Sequence, residues 1–128
     1  MYRKIILYLI LACPFVQVNA HEWTPTYPAM RYSFIDGIMT TQMKLLNKRK
    51  DINWYEVSVY DDEFNPVPFQ VGGGKIQKVT HLQRKYIDVY VRESDLSRAT
   101  YICSRSKSIA DVERGTFLAS RICSKLRK

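Results

Sequence analysis

Side chains suited to nucleophilic or metal chemistry are scarce in this 128-residue sequence, which contains two histidines and three cysteines. Nucleophilic catalysis needs a hydroxyl or thiol beside a histidine that a third group orients. His21 and His81 lie sixty residues apart, and neither falls in a motif of that kind. We therefore predict that the protein is not an enzyme.

Copper binding is the one metal chemistry that these histidines suggest. If an export signal is removed after Ala20, His21 becomes the first residue, and its free amino group and imidazole then chelate Cu(II) together. His81 is the candidate for a second imidazole ligand. A small periplasmic copper-binding protein is therefore an alternative function, and no other cofactor is predicted.

Residues 1–20 have the pattern of an export signal. A short basic start precedes an apolar run over 5–12, and small residues lead up to Ala20. The run is shorter than the roughly 20 apolar residues that span a bilayer. We predict cleavage after Ala20 and a periplasmic or secreted protein. The alternative is lipidation of Cys13 in a lipid-anchored component of an envelope assembly, which is the only case in which we expect a membrane partner.

Cys103 and Cys123 are the two cysteines that remain after cleavage at Ala20. In an oxidising compartment, two such cysteines usually pair. The same pattern surrounds both of them, Ile-Cys-Ser followed by a basic residue, and this suits two strands of a hairpin. We predict a disulfide between Cys103 and Cys123.

The net positive charge is concentrated at the end of the chain. Residues 21–97 hold ten basic and ten acidic residues, whereas 98–128 hold eight basic and two acidic residues. A basic region of this kind fits a solvated surface or a site for an anionic partner. No nucleic-acid motif is present, so nucleic acid is not expected as a partner.

Alternating apolar and polar residues dominate the chain after the predicted signal, as in β-strands with one buried face. Asp36-Gly37 lies between two such runs and predicts a tight hairpin, in which both turn residues need positive φ. Further strands are predicted over 53–60, 75–81, 84–92 and 99–105. The segment 116–128 fits a helix by the spacing of its aliphatic residues, but its alternation favours a strand.

About seven short strands separated by turn signals are typical of a two-sheet sandwich. We therefore predict one all-β domain over residues 21–128, an immunoglobulin-like β-sandwich with a disulfide late in the chain.

The order of these segments resembles the amino-terminal domain of periplasmic pilus-assembly chaperones of the chaperone–usher class. The segments that carry the resemblance are 43–47 (MKLLN), 54–60 (WYEVSVY), 84–92 (RKYIDVYVR), 99–103 (ATYIC) and 119–126 (ASRICSKL). One branch of that family joins its last two strands by a disulfide, as Cys103 and Cys123 would. Because the sequence stops at Lys128, we expect the second domain of those chaperones to be missing.

The resemblance also implies a binding site. In that family the final strand lends alternating side chains to an incomplete pilus subunit, and the corresponding positions here are Leu118, Ser120 and Ile122. A basic pair holds the terminal carboxylate of the subunit, and the nearest matches are Arg31 and Lys125.

Together these features predict an exported chaperone-like or assembly-accessory protein. It would bind an extended segment or acidic terminus of a surface-assembly subunit by edge-strand pairing.

Overall fold

A computed structural model of the protein describes residues 20–107 and 119–128. Residues 1–19 of the predicted signal, Cys13 and Leu118 lie outside the described residues. The described residues form nine strands and one 3₁₀ turn: β1 Glu22–Thr24, β2 Arg31–Tyr32, β3 Ile38–Leu46, β4 Trp54–Tyr60, β5 Gln70–Val71, β6 Ile76–Lys78, β7 Arg84–Arg92, the 3₁₀ turn Glu93–Asp95, β8 Tyr101–Lys107 and β9 Arg121–Lys125. None of these elements is a helix long and apolar enough to cross a membrane.

Two antiparallel sheets form a sandwich. In the five-stranded sheet the order is β1-β3-β7-β5, and β2 pairs with the same edge of β3 as β1 does. In the four-stranded sheet the order is β6-β4-β8-β9. The predicted all-β, immunoglobulin-like sandwich is therefore confirmed. It contains nine described strands where about seven were predicted, and β2 and β5 have only two residues each.

Alternation along the strands builds the core. In β3, Met39, Thr41, Met43 and Leu45 are all buried. Opposite them, Ile87, Val89 and Val91 of β7 are buried as well. Because successive side chains of a strand point to opposite faces, one face of each sheet is apolar and packs against the other sheet. Tyr55, Val57 and Val59 of β4 supply the facing layer.

Asn47, which directly follows β3, has a buried side-chain amide that hydrogen-bonds to the neighbouring chain segments through both its nitrogen and its oxygen. Its Nδ2 donates to the carbonyl oxygens of Ile52 (2.6 Å) and Val79 (2.7 Å). Its Oδ1 accepts from the backbone N–H of Arg49 (2.9 Å) and from the hydroxyl of Tyr55 (2.5 Å). A buried polar group is tolerated when its bonds are satisfied in this way, so Asn47 fixes three chain segments against one another.

The hairpin predicted at Asp36-Gly37 joins β2 to β3, but its turn is longer than expected. Ser33 N donates to Ile38 O at 3.1 Å, and Ile38 N donates to Ile35 O at 3.1 Å. Only Gly37 of the predicted turn pair has positive φ, at 77°. The prediction that both residues need positive φ was wrong, because a longer loop spreads the reversal over residues that stay in ordinary regions.

The other predicted strands match with changes at their ends. β7 spans the predicted residues 84–92, whereas β6 is shorter than the predicted 75–81. It ends early because Thr80 and Gln83 form a turn, in which Gln83 N donates to Thr80 O at 3.0 Å. The segment that also fitted a helix contains β9, so the strand interpretation is confirmed.

Candidate partner-binding edge

Among the described strands, β9 is the outermost one of the four-stranded sheet and pairs only with β8. Leu126 N donates to Thr100 O at 2.8 Å, so the even-numbered residues of this segment direct their backbone groups at β8. The backbone N–H and C=O groups of Arg121 and Cys123 therefore point away from the sheet. Such an outward row of donors and acceptors is what an added strand pairs with.

The chain itself covers the far end of this edge. Lys125 N donates to Thr26 O at 3.1 Å, and Arg127 N donates to Pro28 O at 2.9 Å. We call residues 26–28 the crossing segment. The chain leaves the edge of β3 at the end of β1, runs along β9 over the crossing segment, and pairs with β3 again in β2. The open part of the edge therefore ends at Lys125.

The inward side chains of the edge line the space between the sheets. Ile122 is half-buried and packs against the core. Ser120 is also half-buried, and its N–H donates to Ser106 Oγ at 2.8 Å. Ser124 is buried, and its hydroxyl makes no hydrogen bond within the described part of the chain. Leu118, the remaining predicted contact, lies outside the described residues.

His21 lies behind this edge, in the interior. Its Nε2 is 2.7 Å from Ser104 Oγ and its Nδ1 is 3.1 Å from Ser120 Oγ. Its ring also lies 4.7 Å from the ring of Tyr55, centroid to centroid. Burial, assisted by the positive charge of Arg49, lowers the pKa of His21 to about 4. The imidazole is therefore neutral at physiological pH and connects β8 and β9 near the start of the open edge.

This geometry does not support the copper alternative. Both ring nitrogens of His21 are within hydrogen-bond distance of serine hydroxyls, so neither is left for a metal. His81 is exposed in the turn before β7. Across residues 20–107 and 119–128, no group of three or more histidine, cysteine or acidic side chains is placed to hold a metal ion.

The predicted disulfide is confirmed. Cys103 and Cys123 face each other on β8 and β9, with their Cα atoms 4.0 Å apart and their sulfurs bonded. They lie on the outer face of the four-stranded sheet, where Phe64 stacks on Tyr101 at 4.8 Å between ring centroids. The guanidinium of Arg121 lies over the Phe64 ring at 5.4 Å. The Cys103–Cys123 disulfide joins the edge strand β9 covalently to β8.

The outer face of the four-stranded sheet is strongly basic, and we call it the cationic face. Glu56 is the one acidic residue among the outward-facing positions of its four strands, and it pairs with Lys107 at 2.9 Å. The basic residues on this face are Lys78, Arg105, Lys107, Arg121 and Lys125. Four of the eight basic residues in 98–128 therefore lie on one surface that borders the open edge.

The structure does not bring Arg31 and Lys125 into contact with each other. Arg31 is exposed opposite Thr40 on the outer face of the five-stranded sheet. Lys125 is exposed opposite Tyr101 on the cationic face. Within the described residues, neither side chain forms an ion pair. The two belong to different sheets, joined through the crossing segment.

Sequence reasoning missed the crossing segment and the serines around His21. Pro25 and Pro28 were signals for the first, since proline interrupts regular pairing. Ser104 and Ser106 occupy inward positions of β8, where apolar residues are the rule, and this was the available signal for a buried polar cluster.

No protein-family model matches this sequence, and no curated protein matches it. Solved structures do match. One is the SafB chaperone of Salmonella enterica, from its complex with the SafA pilin. The TM-score is 0.63 at 15% sequence identity, over 87% of this chain and 54% of that chain.

The E. coli chaperone DraB is similar as well, with a TM-score of 0.62 at 14% identity, over 84% of this chain and 53% of that one. The chain thus spans about half the length of either protein. At this identity the likeness shows the fold, and it confirms the resemblance to the amino-terminal domain of these chaperones.

Proposed function

We propose that this protein is an exported, non-enzymatic, chaperone-like protein that binds an extended segment of a protein partner along the open edge of β9. One observation carries the proposal: the backbone groups of Arg121 and Cys123 face outward on an edge strand that a disulfide joins to β8. Backbone pairing supplies affinity in this mode of recognition, and alternate side chains supply specificity.

The crossing segment gives the binding site its length and its end. It already uses the N–H groups of Lys125 and Arg127, so a partner strand pairs with β9 only up to that point. A partner segment that terminates there places its terminal carboxylate beside the exposed ammonium group of Lys125. Such a charge-assisted contact is stronger than a neutral hydrogen bond.

The partner side chains that face the interior would meet Ser120 and Ile122. Both are half-buried at the rim of the core, so an apolar residue inserted between the sheets contacts Ile122 and the neighbouring apolar residues. Leu118, the third predicted contact, precedes Ser120 by two residues in the sequence.

Independent features support export and the kind of partner. A Cys103–Cys123 disulfide is expected to persist in an oxidising compartment, which supports a periplasmic or secreted location after removal of residues 1–20. The similar SafB chaperone is bound to a pilin. We therefore propose a subunit of a surface assembly as the partner.

Amide protection tests the site directly. The probe is a synthetic peptide of alternating valine and serine with a free terminal carboxylate, added to isotope-labelled protein and followed by amide hydrogen exchange. We expect slower exchange at the amides of Arg121 and Cys123. Protection elsewhere with no change at these two amides would refute edge pairing.

Single substitutions separate the two proposed carboxylate contacts. Lys125→Ala should weaken binding of the free-acid peptide and leave binding of the amidated peptide unchanged. Arg31→Ala is tested in the same way and separately, because Arg31 lies on the other sheet. Equal binding of free-acid and amidated peptides by the unmodified protein would remove the carboxylate contact from the proposal.

A further inference from the structure

We infer that the partner strand carries carboxylates at its outward-facing positions, alternating with apolar residues that face the interior. This rests on the proposed edge pairing and adds the chemistry of the partner to it. The inference comes from the cationic face, where the described residues supply five positive charges and one carboxylate.

The first observation is the imbalance of charge on that face. Its five basic side chains share one carboxylate, and Lys107 holds that carboxylate at 2.9 Å. Lys78 lies 5.8 Å from the centroid of the Trp54 ring, which is a contact with a neutral group. Arg105 lies opposite Glu56 in the register of β4 and β8, but within the described residues no acidic side chain forms an ion pair with Arg105, Arg121 or Lys125.

The second observation is a pair of like charges directly opposite each other. Arg105 on β8 faces Arg121 on β9 in the antiparallel register. Directly opposed like charges destabilise a sheet, and Arg121 has no acidic residue opposite it among the described residues. The Arg121 guanidinium lies over the rings of Tyr60 (5.8 Å) and Phe64 (5.4 Å), so aromatic contacts relieve only part of this opposition. An anionic group from outside the domain would neutralise the pair.

The geometry of an added strand supplies such a group. Neighbouring strands lie about 4.8 Å apart, and their opposed side chains share a face. A strand paired with β9 therefore places the residue opposite Arg121 on the cationic face. A carboxylate there lies next to Arg121 and two strands from Arg105, within reach of both long side chains. The next residue of that strand faces the interior beside Ile122, where an apolar side chain fits.

Three synthetic peptides test this alternation. In each, valine alternates with a second residue, which is glutamate, serine or lysine, and the terminal carboxylate is free. Opposite charges across a strand pair favour pairing and like charges oppose it, so we expect about tenfold tighter binding of the glutamate peptide than of the lysine peptide. The serine peptide should lie between them.

Two matched variants show whether the preference arises on the cationic face. Arg105→Gln/Arg121→Gln should abolish the preference for glutamate over lysine, and the fold should remain intact because these side chains are exposed. Lys44→Gln/Arg84→Gln removes two positive charges from the outer face of the five-stranded sheet and should keep the preference. Circular dichroism and thermal unfolding verify the fold of each variant.

The outcomes separate the inference from the proposed function. If all three peptides bind equally and protect the amides of Arg121 and Cys123, the inference is wrong and edge pairing stands. A glutamate preference that both variants lose equally also overturns the inference, since it then reflects net charge alone. If no peptide binds or protects those amides, the edge-pairing proposal fails and this inference fails with it.

Discussion

Acid should destabilise the protein through His21. Burial and the nearby Arg49 hold the pKa of the folded imidazole at about 4, against 6.5 for an ordinary histidine. Between these values the unfolded chain binds a proton that the folded chain does not. The free energy of unfolding therefore falls as pH decreases through this window, by about 1.4 kcal/mol for each pH unit. The whole window corresponds to a loss of roughly 3 kcal/mol.

The assay is urea unfolding of the wild type and His21→Gln at several pH values between 6.5 and 4. Glutamine cannot take up a proton, so the wild type should lose roughly 3 kcal/mol more than the variant across this window. The carboxylates titrate in both proteins and cancel in the difference. His81→Gln is the matched control, since His81 is exposed and forms none of these contacts. Parallel pH dependence of the wild type and His21→Gln would show that the interior does not hold His21 neutral.

Three further predictions concern stability and are checked by urea unfolding near neutral pH. Asn47→Ala should cost about 3 kcal/mol or more, because it leaves several buried groups unbonded, whereas Tyr55→Phe, which removes one of those bonds, should cost about 1 kcal/mol. Replacing both Cys103 and Cys123 by serine should cost about 3 kcal/mol, since the bond closes a loop with a sequence separation of 20. Ser124→Ala should be neutral or stabilise the domain by up to about 1 kcal/mol, because it removes a buried hydroxyl that makes no hydrogen bond to any described residue; a clear destabilisation would mean that the hydroxyl is bonded.

The long strands could be predicted because their own residues determine them. Apolar and polar residues alternate over the seven residues of β4 and the nine of β7. Because one face of such a strand must be buried, its register with the neighbouring strands is fixed. The two-residue strands β2 and β5 carry no comparable pattern, and only their pairing with β3 and β7 makes them strands. The last segment was ambiguous for the same reason, since tertiary pairing with β8 decides between strand and helix.

The candidate site was predictable only in part. The cysteine count and the repeated local pattern predicted the disulfide, and charge counting predicted a basic region. Sequence could not predict that Arg105 and Arg121 oppose each other, because this depends on the register of two strands separated by a loop. It also could not show that His21 is buried, since that burial depends on serines about 80 and 100 residues further along the chain.

The crossing segment joins the two ends of the described chain, and this has a consequence for folding and local opening. Its bonds to Lys125 and Arg127 close a loop of about a hundred residues, which carries a large entropic cost, so these contacts should form late. They should also be among the first to open, because they lie at the edge of a sheet. Each opening lengthens the accessible edge from two outward peptide groups to four. The same opening exposes a longer unpaired strand to other copies of the protein, so the crossing segment also protects the molecule against edge-to-edge aggregation.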